Sequence, residues 1–221
     1  MSNQHYYKPP PDVGLDILYQ DEYLLVLNKP AGLLAVPGNT EEKQDCLASR
    51  TQKEFPQAMI VHRLDMCTSG IMLMALGKEA QKQFSIMFEK RHIKKLYSAI
   101  VSGNPEPGEG NISLPLITDW PNRPRQKVDY ETGKPSTTLY RVMEYDPMQD
   151  VSRVELEPVT GRSHQLRVHM QSIGHAICGD RLYAAPEIQS KAERLLLHAS
   201  FIEFTHPFSG KLITLNSPAP F

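Results

Sequence analysis

A chain of 221 residues, 40% hydrophobic and 22% charged, has enough apolar material for its own core, so metal or disulfide staples are not required. Lysine and arginine number 24 against 25 acids, so no global charge advertises a nucleic-acid partner and any basic face must arise by segregation. Three scattered cysteines (Cys46, Cys67, Cys178) without a CxxC pair argue against a disulfide framework and a structural zinc site, and suggest a reducing, cytoplasmic setting.

Residues 1–14 read as a flexible arm, because Pro9-Pro10-Pro11 blocks both helix and central strand. The arm lacks the apolar core of a signal peptide, and no later apolar run is long enough to span a bilayer, so no membrane partner is expected. Strands are expected at 15–19 and 23–28, then a helix over 45–55 with its N-cap at Gln44 or Asp45. Ser69 to Leu76 is a nearly unbroken apolar run and reads as a strand buried on both faces. Lys78 to Arg91 reads as a helix whose stripe is Ala80, Phe84, Met87 and Phe88. A strand over 96–101 precedes a Gly- and Pro-rich stretch, 102–134, expected to be irregular and functional. Strands at 137–144 and 151–157, a helix over 163–173 closed by Gly174, and strands at 195–205 and 211–215 complete the chain. Strands outnumber helices and short turns join them, which predicts an α/β (α+β) fold with one large mixed, mainly antiparallel sheet flanked by a few helices.

Three segments could carry chemistry. His62-Arg63-Leu64-Asp65-Met66-Cys67-Thr68-Ser69-Gly70 is a polar interruption before the buried strand, where a rigid scaffold could hold the Asp65 carboxylate against a ligand. The same aspartate could merely accept backbone N–H bonds in an Asx-turn, and local sequence does not separate the two. In Thr160-Gly161-Arg162-Ser163-His164-Gln165-Leu166-Arg167-Val168-His169, the helical buried face would be Leu166, Met170 and Ile173. Arg167 sits on the flank of that face, about 100° from Leu166, where it could fork onto a carboxylate. His164 and His169 stand at i and i+5 with no acid between them, which is not the zinc-binding HExxH spacing, and no metal is expected. Tyr97, in a strand-like stretch, is either a packed edge residue or a platform for a base taken out of its stack. Lys95 with its basic neighbours, Arg123-Pro124-Arg125-Gln126-Lys127, and Arg162 with His164 could form a phosphate-binding face, or equally a solvated surface.

Taken together, these segments resemble the RluA family of pseudouridine synthases. His62 to Gly70 is similar to the family's HRLDxxTSG signature, and Thr160 to His169 to its GR(S/T)HQ(L/I)RVH signature. Leu197-His198-Ala199 with His206-Pro207 resembles its LHA…HP element, and Asn28-Lys29-Pro30-Ala31-Gly32-Leu33 its NKPxGL turn. The likeness covers residues 15–217 in family order. It narrows to the founding branch through Asp119-Trp120-Pro121-Asn122-Arg123-Pro124 and Gly179-Asp180-Arg181-Leu182-Tyr183-Ala184, where Ala184 replaces the glycine of most members. The resemblance implies the pseudouridine synthase fold in one domain over 15–221, without the S4-type RNA-binding domain of larger relatives and without a cofactor. It also implies an isomerase with dual specificity for 23S rRNA and the tRNA anticodon stem-loop. By resemblance, Asp65 is the catalytic aspartate, Arg167 its partner, Tyr97 the ring that stacks on the target base, and Arg63 the side chain that fills the vacancy left by the flipped uridine. A monomer is expected. Two rivals are a non-catalytic RNA-binding or ribosome-assembly module, and a glycoside-type hydrolase, for which no second carboxylate stands in a comparable motif.

Overall fold

Aliphatic runs without polar alternation belong on strands covered on both faces, and two of them, Leu24 to Leu27 and Ile71 to Ala75, are buried throughout. The computed structural model describes residues 7–221; residues 1–6 of the expected arm lie outside the described residues. The chain divides into two compact units, one running up to Ile93 together with Phe204–Ser217, the other Lys94–Glu203 together with Pro218–Phe221.

In chain order the first unit holds β1 (Ile17–Gln20), β2 (Leu24–Lys29), α1 (Leu47–Glu54), β3 (Ala58–Ile60), β4 (Ser69–Leu76) and α2 (Lys78–Glu89). β1 and β2 form a hairpin whose turn is tied by Asp21, which accepts the amides of Tyr23 and Leu24 at 2.8 Å each. β2 and the short β3 both pair antiparallel with β4. Ala80, Phe84 and Met87 of α2 are buried, as their spacing predicts. The N-cap of α1 differs from expectation: Cys46 caps it, its Sγ accepting the Ser49 amide while Ser49 Oγ accepts the Cys46 amide. Asp45 is drawn instead into a fork with Arg50, Oδ1 to Nε and Oδ2 to Nη2 at 2.8 Å each. Arg50 also donates to the Pro10 carbonyl, and buried Tyr7 donates to the Asp45 carbonyl, so residues 7–11 lie along α1.

The second unit holds β5 (Lys94–Ser102), β6 (Glu109–Ser113), β7 (Leu116–Thr118), β8 (Gln126–Val128), β9 (Thr137–Asp146), β10 (Val151–Pro158), α3 (Gln165–Ser172), α4 (Pro186–Gln189) and all but the last two residues of β11 (Leu197–Thr205). Its strands run in the order β11-β5-β10-β9-β6 with every neighbour antiparallel. The last strand, β12 (Leu212–Asn216), returns to the first unit. The expected fold class holds: mainly antiparallel sheet flanked by a few helices.

Two expectations fail here. The stretch 102–134 is not irregular, for β6 extends the sheet and β7 with β8 forms a separate two-stranded hairpin. Strands of three to five residues broken by Gly and Pro are too short to show a period. Nor does α3 bury only one stripe. It starts at Gln165, because His164 takes a left-handed conformation (φ 54°), and every residue from Gln165 to Met170 is buried. The helix packs against β8 as well as β9 and β10, so this stretch has no solvent face.

Candidate active site

Past Ile60 the chain leaves the β3–β4 ladder, and His62 compensates. Its Nε2 accepts the Leu73 amide at 2.9 Å, standing in for the carbonyl that β3 no longer supplies, and its ring stacks 4.2 Å from Phe88 of α2. An accepting Nε2 places the imidazole proton on Nδ1. The following turn is closed by the backbone of Asp65 itself, whose carbonyl accepts the Thr68 amide at 3.1 Å. The next carbonyl, of Met66, accepts the Gly32 amide at 2.8 Å and the ammonium of Lys29 at 3.2 Å. Lys29 is fully buried at the end of β2 and also donates to the carbonyls of Leu33 (2.7 Å) and Pro30 (2.9 Å). Reading along the strand gave no sign of this role; only the NKPxGL pattern marked the position. The backbone of Asp65 is thus held on both sides while its carboxylate stays half-buried, with exposed Arg63 two residues earlier.

In the second unit Arg167 lies inside rather than on a helix flank. Its Nε and Nη2 fork onto Asp180 Oδ2 and Oδ1, both at 2.7 Å, with both side chains buried. Such a pair offsets its desolvation only when its remaining lone pairs are satisfied. Asp180 meets that condition by accepting the amides of Leu182 and Tyr183. Gly179, at φ +74°, opens this turn, and a Cβ there would stand 1.9 Å from the Arg194 carbonyl oxygen, so only glycine fits. Asp180 was not a sequence candidate, because nothing periodic links it to an arginine 13 residues away.

Tyr183 gathers several candidates. The guanidinium carbons of Arg167 and Arg125 lie 5.0 and 5.5 Å from its ring centroid. Its hydroxyl accepts the Gln126 amide at 2.8 Å and meets His164 Nδ1 at 2.6 Å. Arg123, Arg125 and Lys127 share the exposed β7–β8 hairpin, and Arg162 is exposed just before α3. His169 belongs to the core instead: its Nε2 reaches the Leu114 carbonyl and its Nδ1 the Thr138 hydroxyl, and burial pushes its pKa below the ordinary 6.5.

Tyr97 is not an edge residue. It sits mid-sheet on β5, opposite Leu156 of β10 and Ala199 of β11, half-buried. Strand alternation puts Lys95 on the same face, and burial pushes that ammonium's pKa down. A half-buried aromatic ring beside a partly desolvated amine suits a planar, polar ligand.

The sequence model of the family described as RNA pseudouridylate synthase matches residues 23–172. The chain is 54% identical over 215 residues to the dual-specificity RNA pseudouridine synthase RluA of Escherichia coli K12, covering 97% of this chain and 98% of that one. To the protein of the same name from Vibrio parahaemolyticus it is 49% identical, covering 97% and 87%. Among solved structures, human RNA pseudouridylate synthase domain containing 1 superposes with a TM-score of 0.80 at 29% identity, over 97% of this chain and 87% of that one.

Proposed function

The chain belongs to the RNA pseudouridylate synthase family and is an RNA pseudouridine synthase, and from that premise we propose that Asp65 is the catalytic carboxylate, Arg167 the guanidinium that steadies it, and Tyr97 the ring on which the target uracil stacks. The observation that carries the proposal is the seat of Asp65: a half-buried aspartate on a backbone fixed by Thr68, Gly32 and the buried ammonium of Lys29. A group held this way keeps its aim without reorganising during reaction.

The reaction breaks the N1–C1′ bond, turns the uracil and joins C5 to C1′; the C5 proton leaves to solvent and N1 takes up a proton, so atoms and electrons balance with no redox partner. Asp65 either attacks C1′ or removes a ribose proton to give a glycal. Flipping a stacked uridine costs a few kcal/mol, and Arg63 would offset part of it by occupying the vacancy. Arg123, Arg125, Lys127, Arg162, His164 and Lys95 are assigned to phosphate and loop contacts. The substrates we assign are 23S rRNA and the anticodon stem-loop of tRNA, with the enzyme acting as a cytoplasmic monomer. No helix among the described residues is long and apolar enough to cross a membrane.

The test is Asp65→Asn, which removes the charge and keeps the shape. Tritium release from 5-tritiated uridine RNA should fall by at least about 10³-fold, the scale of an essential acid–base or nucleophilic group, while RNA binding persists. Appreciable release by that variant would refute the assignment. Carbodiimide mapping of rRNA and tRNA from cells with and without the protein locates the substrates.

A further inference from the structure

The β7–β8 hairpin carries a side chain that phosphate binding does not use. Trp120, the chain's one tryptophan, opens a 3-10 turn at the hairpin's tip with 66% of its surface exposed. An indole is among the largest apolar groups a protein can bury, yet this one is held in water. Arg123 lies 4.6 Å from its ring centroid, a cation–π contact that fixes the ring without hiding it.

The tip is stiff. The Asp119 amide donates to the Arg125 carbonyl, the Asn122 amide to that of Asp119, and the Arg125 amide to that of Asn122, at 2.9, 2.9 and 3.0 Å. The Asp119 carboxylate accepts the Asn122 side chain at 2.9 Å. Below the tip, the Gln126 amide is tied to Tyr183. A rigid aromatic ring beside Arg123, Arg125 and Lys127 matches single-stranded nucleic acid, whose bases present π-faces and whose backbone presents phosphates. A protein partner would need an acidic patch and gains less from a lone indole.

We propose that Trp120 is a stacking platform for an unpaired nucleobase of the substrate RNA, a loop nucleotide other than the target uridine. The proposal rests on the RNA pseudouridine synthase reading and adds a determinant of specificity: RNA with an unpaired loop base is preferred to continuous duplex.

As the sole indole, Trp120 reports on its own site by fluorescence. Titration with a stem-loop RNA should quench the emission saturably, while a blunt duplex of the same composition should not. Trp120→Ala should raise KM for the stem-loop about tenfold, within the range of one stacked base, and Trp120→Phe should recover most of that loss. Met148→Ala, which removes a side chain 93% exposed on the β9–β10 turn, should leave KM unchanged and serves as control. Emission unaltered by bound stem-loop, or a Trp120→Ala KM at the wild-type value, overturns the proposal and gives the surface to a protein partner. The fluorescence readout needs binding alone. A chain that binds and quenches without forming pseudouridine would therefore count against the activity and not against the platform.

Discussion

A lysine ammonium out of reach of water needs acceptors, and Lys29 finds them in the carbonyls of Pro30, Leu33 and Met66. Lys29→Met keeps the stem and removes the donors, leaving the buried Leu33 carbonyl without this partner. The expected cost is about 3 kcal/mol, read as a lowered denaturation midpoint, with the loss larger in stability than in turnover of the folded protein. His169 sets a second residue-scale expectation. Its folded pKa lies below 6.5, chiefly through burial, with the hydrogen bond to Leu114 opposing. The unfolded chain therefore takes up the proton first. The stability contribution is complete above about pH 6.5 and is lost as pH falls from there towards the lowered folded value. Melting temperatures should decline across that acid window, and less steeply in His169→Gln. Histidine spacing departs from the HExxH pattern, but it did not show that this ring is a core hydrogen-bonding group.

At the scale of elements, the Tyr183 phenol is one tie between the hairpin β7–β8 and the rest of its unit, beside the packing of Leu116 and Val128 against Val168 and Tyr183. Tyr183→Phe leaves a ring beside Arg167 and Arg125 but deletes the acceptor of the Gln126 amide. The hairpin should loosen by about 1 kcal/mol, the net worth of one such bond. Hydrogen exchange at the Gln126 amide should then quicken about fivefold (1.4 kcal/mol per tenfold). Exchange there at the wild-type rate would show that the hairpin is held elsewhere. These were also the elements hardest to read in advance. β4 and α2 announced themselves because each has a run long enough to show its period. β7 and β8, three residues each, have none. The cap of α1 was misplaced because aspartate is the commoner capping residue, whereas a buried Cys46 and Ser49 satisfy the same donors here.

Across the whole molecule, near-neutral charge conceals local segregation. If Arg123, Arg125 and Lys127 each hold a phosphate, replacing all three with glutamine should lower the slope of log affinity against log salt by about 2 (about 0.7 per contact). An unchanged slope would leave them as ordinary surface. What was legible in the chain followed distance along it. Asp65, Arg167 and Tyr97 stood in recognisable local patterns. The groups that hold these patterns in place, such as Asp180 for Arg167 and Lys29 for the peptide after Asp65, lie 13 and 37 residues away. Contacts closed by folding leave no period in a sequence.

The enclosure of α3 has a consequence for altering what this protein acts upon. From Gln165 to Met170 no side chain can be exchanged without displacing a packed neighbour. Residues 120–125, by contrast, point outward at every position. New RNA preferences should therefore be sought by rewriting that tip, leaving the guanidinium's housing as it is.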